Sequence, residues 1–216
     1  MANQISPLAF VHPDAKLGDN NIIGPFCYID ADVVIGNNNV FQNSVTLNQG
    51  LRMGDNNEVM PGASLSTKPQ DLKFKGEVTT CQIGNSCIIG NSTKFAGEVI
   101  VDDCAIISAE VLVHQFVHIG GYVMIQGGSR TSQDIPPYVI GGKEPIAYEG
   151  LNIIGLRRRG FSPELIDNIH NAYRLVYQSS LTVNEAMERI KNDVPMSKEI
   201  QYIVDFVSNS KRGIIR

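Results

Sequence analysis

The sequence predicts a parallel β-helix of six-residue repeats followed by a small C-terminal α-helical domain. Two observations point there. Every sixth residue from Ile5 is large and apolar: Ile5, Val11, Leu17, Ile23, Ile29, Ile35, Phe41, Leu47, Met53, Val59 and Leu65. A period of six fits neither an amphipathic helix nor a simple alternating strand. Three such units make one triangular coil of eighteen residues, and "LGDNN" at 17, "IGNNN" at 35 and "MGDNN" at 53 mark successive coils. From Ser162 onward the apolar period switches to a helical one.

Taken in order, the first eleven repeats stack coil on coil at about 4.8 Å, the ordinary strand spacing. The position four after the inward residue is usually slender (Ala15, Cys27, Val33, Val45, Ala63) or is Asn21, Asn39 or Asn57. Those asparagines recur once per coil and predict a ladder of stacked amides. The period breaks after Leu65 and resumes at Ile83 instead of residue 71, so an ejected loop at 66–82 inserts a net twelve residues. The coils then run to about Ser129, and "QDIPPYVIGGKEP" is read as turn-rich connecting chain. The domains are therefore 1–154 for the β-helix with its loop and 155–216 for the helices. Ser162 with Pro163 opens one helix, the capping box "TVNE" a second and Ser197 a third.

Composition narrows the function classes. Residues 1–154 carry eight basic and fifteen acidic side chains, whereas 155–216 carry ten basic and seven acidic. The larger region is thus a poor nucleic-acid surface. No apolar run is long enough for a transmembrane segment, no secretory leader is evident at the start, and the four cysteines form no CxxC pair. A cytoplasmic protein with free buried thiols is the expectation. No P-loop, dinucleotide fingerprint or Ser-His-Asp pattern is present, and no cofactor is expected. His114 and His118 have ligand-like spacing but lie in strand segments without an evident third ligand, so no metal site is expected either.

The candidate chemistry lies elsewhere. His114 follows inward Val113 and points out of the prism, where a neutral imidazole can take a proton from a hydroxyl. Gln70, Asp71 and Lys73 on the ejected loop suit sugar hydroxyls and an acyl group. Arg157, Arg158 and Arg159, read as the end of a linker, suit a diphosphate. Each of these groups is equally compatible with a solvated surface.

Several stretches together, "VHPDAKLGDNNIIGPFCYI", "QDLKFKGE", "VHQFVHIG", "DIPPYVI", "LNIIGLRRRGFSPELIDNIHNAYRLVYQS" and "KRGIIR", resemble the UDP-N-acetylglucosamine O-acyltransferases of lipid A biosynthesis. The resemblance covers nearly the whole chain. It implies a left-handed β-helix and a homotrimer with sites in clefts between subunits. It implies transfer of a 3-hydroxyacyl chain from acyl carrier protein to the 3-hydroxyl of the UDP-sugar. It places Gln70, Asp71 and Lys73 at sugar and acyl, His114 and Gln115 in the cleft, Gly127 where a long acyl chain enters, and Asn152, Arg158 and Arg159 on the nucleotide side.

The departures are specific. About two coils of the family pattern, including the His-Asp pair that supplies its general base, are absent between Cys81 and Ile107. The family's Ala-Gly-His reads "AGEV", with Glu98 in place of the histidine, and a nucleotide-side glutamate reads Ile154. Three readings follow: an acyltransferase whose base is His114 or Glu98, a catalytically inactive member that binds or regulates, or a sugar acetyltransferase using another acyl donor.

Overall fold

In a computed structural model, which describes residues 2–68, 75–76 and 79–216, the chain forms a parallel β-solenoid followed by four helices. Three sheets of nine, seven and six strands form the faces A, B and C of a triangular prism. Most strands are two residues long, the first pointing out and the second in, as in Ile22–Ile23 on face A, Tyr28–Ile29 on face B and Val34–Ile35 on face C. The inward column is the six-residue apolar series, and from Ile23 to Ile125 it is fully or nearly fully buried. Between the faces lie three edges, AB, BC and CA.

Each edge turns through a left-handed backbone. Positive φ recurs at Asn20, Phe26, Asp32, Asn38 and Ser44 and returns after the loop at Ser86, Ser92, Glu98, Cys104, Glu110, Phe116 and Tyr122. Asn, Asp and Ser tolerate this conformation through local hydrogen bonds, whereas the bulkier residues meet a steric cost.

The CA edge carries two hydrogen-bonded columns. Asn21, Asn39 and Asn57 are buried, and the Oδ1 of each accepts the backbone N–H one coil further on, at 2.9, 2.9 and 2.8 Å. The side-chain amides of Asn39 and Asn57 donate to the Oδ1 below at 3.1 and 3.0 Å. The column ends at Cys87, where Ala105 and Val123 continue an apolar core. A second, exposed column runs through Asp19, Asn37, Asp55, Asn85 and Asp103 by bonds of 2.6–2.8 Å. Glycine precedes it at 18, 36, 54 and 84 for lack of room: a Cβ on Gly36 would lie 2.1 Å from Asp55 Oδ1 and 2.8 Å from Gly54 O.

Arg52 pairs with Gln82, thirty residues away instead of eighteen, so the loop adds a net twelve and face C keeps its register, while face B slips by one residue between the pairs Ser64–Lys94 and Thr67–Ala96. Strands stop at Thr67 and resume at Cys81. One expectation needs correction: the stack does not end near Ser129. Arg130–Thr131 adds a strand to face B, Ile135 bridges Ile119 on face C, and Val139–Gly142 pairs with Met124–Ile125 on face A. The prolines at 136 and 137 hide this last coil from a period-based reading. Val139–Gly142 then turns back into the antiparallel strand Ala147–Leu151.

The helices are α1 (Ile153–Arg158), α2 (Pro163–Tyr177), α3 (Val183–Asp193) and α4 (Lys198–Asn209). Ser162, Thr182 and Ser197 cap the last three through their hydroxyls. The helix α1 is one that sequence periodicity missed, so Arg157 and Arg158 end a helix and are not on a linker. Among the described residues no helix is long and apolar enough to cross a membrane.

Candidate functional site

The expected site residues are distributed over the prism. Glu98, His114 and Gln115 lie on the BC edge, on consecutive coils. Glu98, at φ +61°, accepts the Thr80 backbone N–H on Oε1 at 3.0 Å. Its carboxylate therefore secures the returning end of the loop. His114 is exposed, with Nδ1 3.1 Å from the Gln115 carbonyl oxygen. A carbonyl only accepts, so the proton belongs on Nδ1 and the lone pair on Nε2. Gln115 is half-buried beside it. Gln70, Asp71 and Lys73 lie outside the described residues.

Asn152 and Arg159 are on the CA edge. Asn152 is buried; its Oδ1 caps α1 at Gly155 N (3.2 Å) and its amide donates to Tyr122 O (2.9 Å). That side chain is built into the junction of helix and coil. Arg159 donates to Ser86 O at 3.4 Å, and Arg158 and Arg159 are exposed. Ile154 is 65% exposed, an apolar side chain facing outward beside the arginines. Gly127 lies on the AB edge, where a Cβ would meet Ala109 O at 3.2 Å. The fold thus puts His114, Gln115 and Glu98 on one edge and keeps them on a different edge from Asn152 and Arg159.

Two concavities flank these groups. A groove of about 1050 Å³ runs over face B. His114 and Gln115 are at its rim, Lys94, Leu112 and Arg130 on its floor, and Glu144 and Pro145 on its wall. A second, of about 750 Å³, lies over face C against α4, lined by Arg52, Gln82, Asp102, His118, Tyr122 and Tyr202 among others.

The second concavity holds a network that sequence reading missed. His118 Nε2 is 2.8 Å from Asp102 Oδ2, and the Tyr202 hydroxyl donates to the same oxygen while accepting from Gly121 N at 2.9 Å. Burial, and then the Asp102 charge, hold the Tyr202 hydroxyl well above the usual phenol range, so it stays a donor. The His118 ring lies on Phe206 with centroids 4.4 Å apart. His118 N donates to Asp134, whose other oxygen accepts from Ser210. These bonds pin α4 to the last coils. The signal was present: Gly18, Gly36, Gly54, Gly84 and Gly120 occupy one corner position, and Asp102 interrupts that column.

Comparison with known proteins fits this architecture. Residues 134–215 match a family model described as UDP N-acetylglucosamine O-acyltransferase, domain 2, and residues 14–49 match the bacterial transferase hexapeptide. A UDP-N-acetylglucosamine acyltransferase structure from Bacteroides fragilis is 50% identical, covers 99% of this chain and 100% of its own, and superposes with a TM-score of 0.73. The chain belongs to the UDP-N-acetylglucosamine O-acyltransferase family. A second family structure, from Francisella novicida, is 31% identical over 99% of this chain and 94% of its own, with a TM-score of 0.68. A curated relative from Burkholderia mallei, an acyl-[acyl-carrier-protein]–UDP-N-acetylglucosamine O-acyltransferase, is 40% identical over 140 residues, 63% of this chain. The chain spans about half, 53%, of that relative's length.

Proposed function

We propose that this protein is an acyltransferase that moves an acyl group from an acyl carrier protein to a hydroxyl of UDP-N-acetylglucosamine, with His114 as general base. The carrying observation is the His114 geometry. Its Nδ1–H faces a carbonyl, which leaves Nε2 as the acceptor beside a groove large enough for an acyl chain. Glu98 is the weaker candidate because its carboxylate already holds the loop backbone. In the reaction Nε2 takes the hydroxyl proton and the sugar oxygen attacks the thioester carbonyl carbon. The C–O bond forms, the C–S bond breaks, and the imidazolium returns the proton to the leaving thiolate.

The split of the site over two edges supports a shared cleft, in which the BC edge of one copy meets the CA edge of the next. A homotrimer, as expected from the resemblance, provides this three times over. Face A is apolar on its outer side at Ile22, Val40, Ile88, Ile106 and Met124, interrupted by Glu58, and offers a surface for such packing. We place the protein in the cytoplasm, where carrier and nucleotide sugar are made and buried thiols stay reduced.

Purified protein given 3-hydroxyacyl carrier protein and UDP-N-acetylglucosamine tests the proposal. We expect turnover, reduced about a hundred- to ten-thousandfold in His114→Ala. Tight binding of the nucleotide sugar without turnover would instead establish a binding or regulatory member that lost its base with the missing coils. Turnover with acetyl-coenzyme A alone would establish a sugar acetyltransferase.

A further inference from the structure

Charge in the solenoid is distributed against the general trend. Residues 1–154 hold only eight basic side chains against fifteen acidic ones, yet three of the eight, Lys68, Lys94 and Arg130, line the groove on face B. Glu144, on the hairpin wall, is the one acid among the described lining residues.

The placement of two of these cations follows from coil register. Lys94 pairs with Leu112, and Leu112 with Arg130, so the three occupy the outward position of one face on consecutive coils. At the ordinary strand spacing the two cationic positions are about 10 Å apart, with the leucine between them. Both side chains are exposed. Among the described residues the Lys94 ammonium makes one bond, to the Ser92 carbonyl oxygen at 3.0 Å. Arg130 has no hydrogen bond or ion pair with any described residue. Its fork of donors is available to an oxyanion over Leu112, and Lys94 occupies the matching outward position one coil below. Among the described residues neither cation has a carboxylate partner, which a groove for a saturated chain alone does not require.

From this arrangement we infer that the groove binds an anionic group of the acyl donor, held between Lys94 and Arg130 beside His114. The inference rests on the acyltransferase reading for the identity of the ligand. Two parts of a donor carry this chemistry: the phosphodiester of the arm that links an acyl thioester to its carrier, and a carboxylate or similar acidic substituent on the acyl chain. The nucleotide sugar has its own cationic candidates at Arg158 and Arg159 on the CA edge, so the two phosphate-bearing substrates are sorted onto different surfaces.

Calorimetric titration tests this without turnover, using hexanoyl-phosphopantetheine, hexanoyl-pantetheine and adipyl-pantetheine against the whole protein and the double variant Lys94→Ala/Arg130→Ala. Both positions are exposed, and circular dichroism confirms that the variant folds. We expect at least one anionic probe to bind the unmodified protein about tenfold tighter than the neutral hexanoyl-pantetheine, and the variant to lose that preference. Preference for the phosphorylated arm assigns the carrier linkage; preference for the adipyl probe assigns an acidic acyl group. Equal affinity for all three probes overturns the inference. So does a variant that keeps the preference, or one that loses UDP-N-acetylglucosamine instead. Anion-selective binding by a protein that shows no transfer would keep this assignment and overturn the enzymatic one.

Discussion

The CA and BC edges are built from the same turn, repeated once per coil, and differ in nearly everything else. The CA edge repeats itself. Its buried asparagines and its exposed Asp/Asn column tie each coil to the next, and glycine recurs where a Cβ has no room. The BC edge varies from coil to coil, ejecting the loop after Thr67, then carrying Glu98 and then His114–Gln115. Repetition in this fold serves stacking, because a column of hydrogen bonds needs the same residue at the same place. Variation is affordable only where no column runs, and there a side chain can be chosen for chemistry.

Breaking the repetitive edge has the largest predicted effect. Asn39→Ala removes the acceptor of both the Asn57 backbone N–H and its side-chain amide, in a place that water does not reach. We expect a loss of about 2–4 kcal/mol, read as a lower urea midpoint. A change under about 0.5 kcal/mol would show that the column is not what holds the coils together. An intermediate effect is expected at Asp102, where the repetitive edge was given up for a contact. Tyr202→Phe deletes a hydroxyl that both donates and accepts. It should cost about 1–2 kcal/mol and speed hydrogen exchange in α4 more than in the coils; uniform exchange would contradict the pinning role. The smallest effect belongs to the variable edge. Glu98→Gln keeps an oxygen for Thr80 N, so transfer should stay within about twofold of the unmodified protein. A collapse of activity comparable to His114→Ala would move the base to Glu98.

The legible parts of the sequence were the periodic ones. The inward series from Ile5, the asparagine column and the net insertion of twelve residues could each be counted, and the register of Arg52 with Gln82 agrees with that count. The final coil was hidden because Ile135 bridges Ile119 as an isolated pair between Asp134 and the prolines, too short for a period to show. The helix α1 was hidden because its six residues include Gly155 and bury only Leu156. For the site, His114 could be placed on an outward corner by counting, but the other edge could not be placed relative to it. The His118–Asp102–Tyr202 contact spans a hundred residues of chain, and only the interruption of a glycine column hinted at it.

The joint between α4 and the last coils makes two separate architectures share one fate. At the far end of the prism the last coils are bound to α4 through Asp102, Asp134 and Ser210, and helices cover the adjoining core. Heat, denaturant or a pulling force therefore meets a joint there in which helix and coil must let go together.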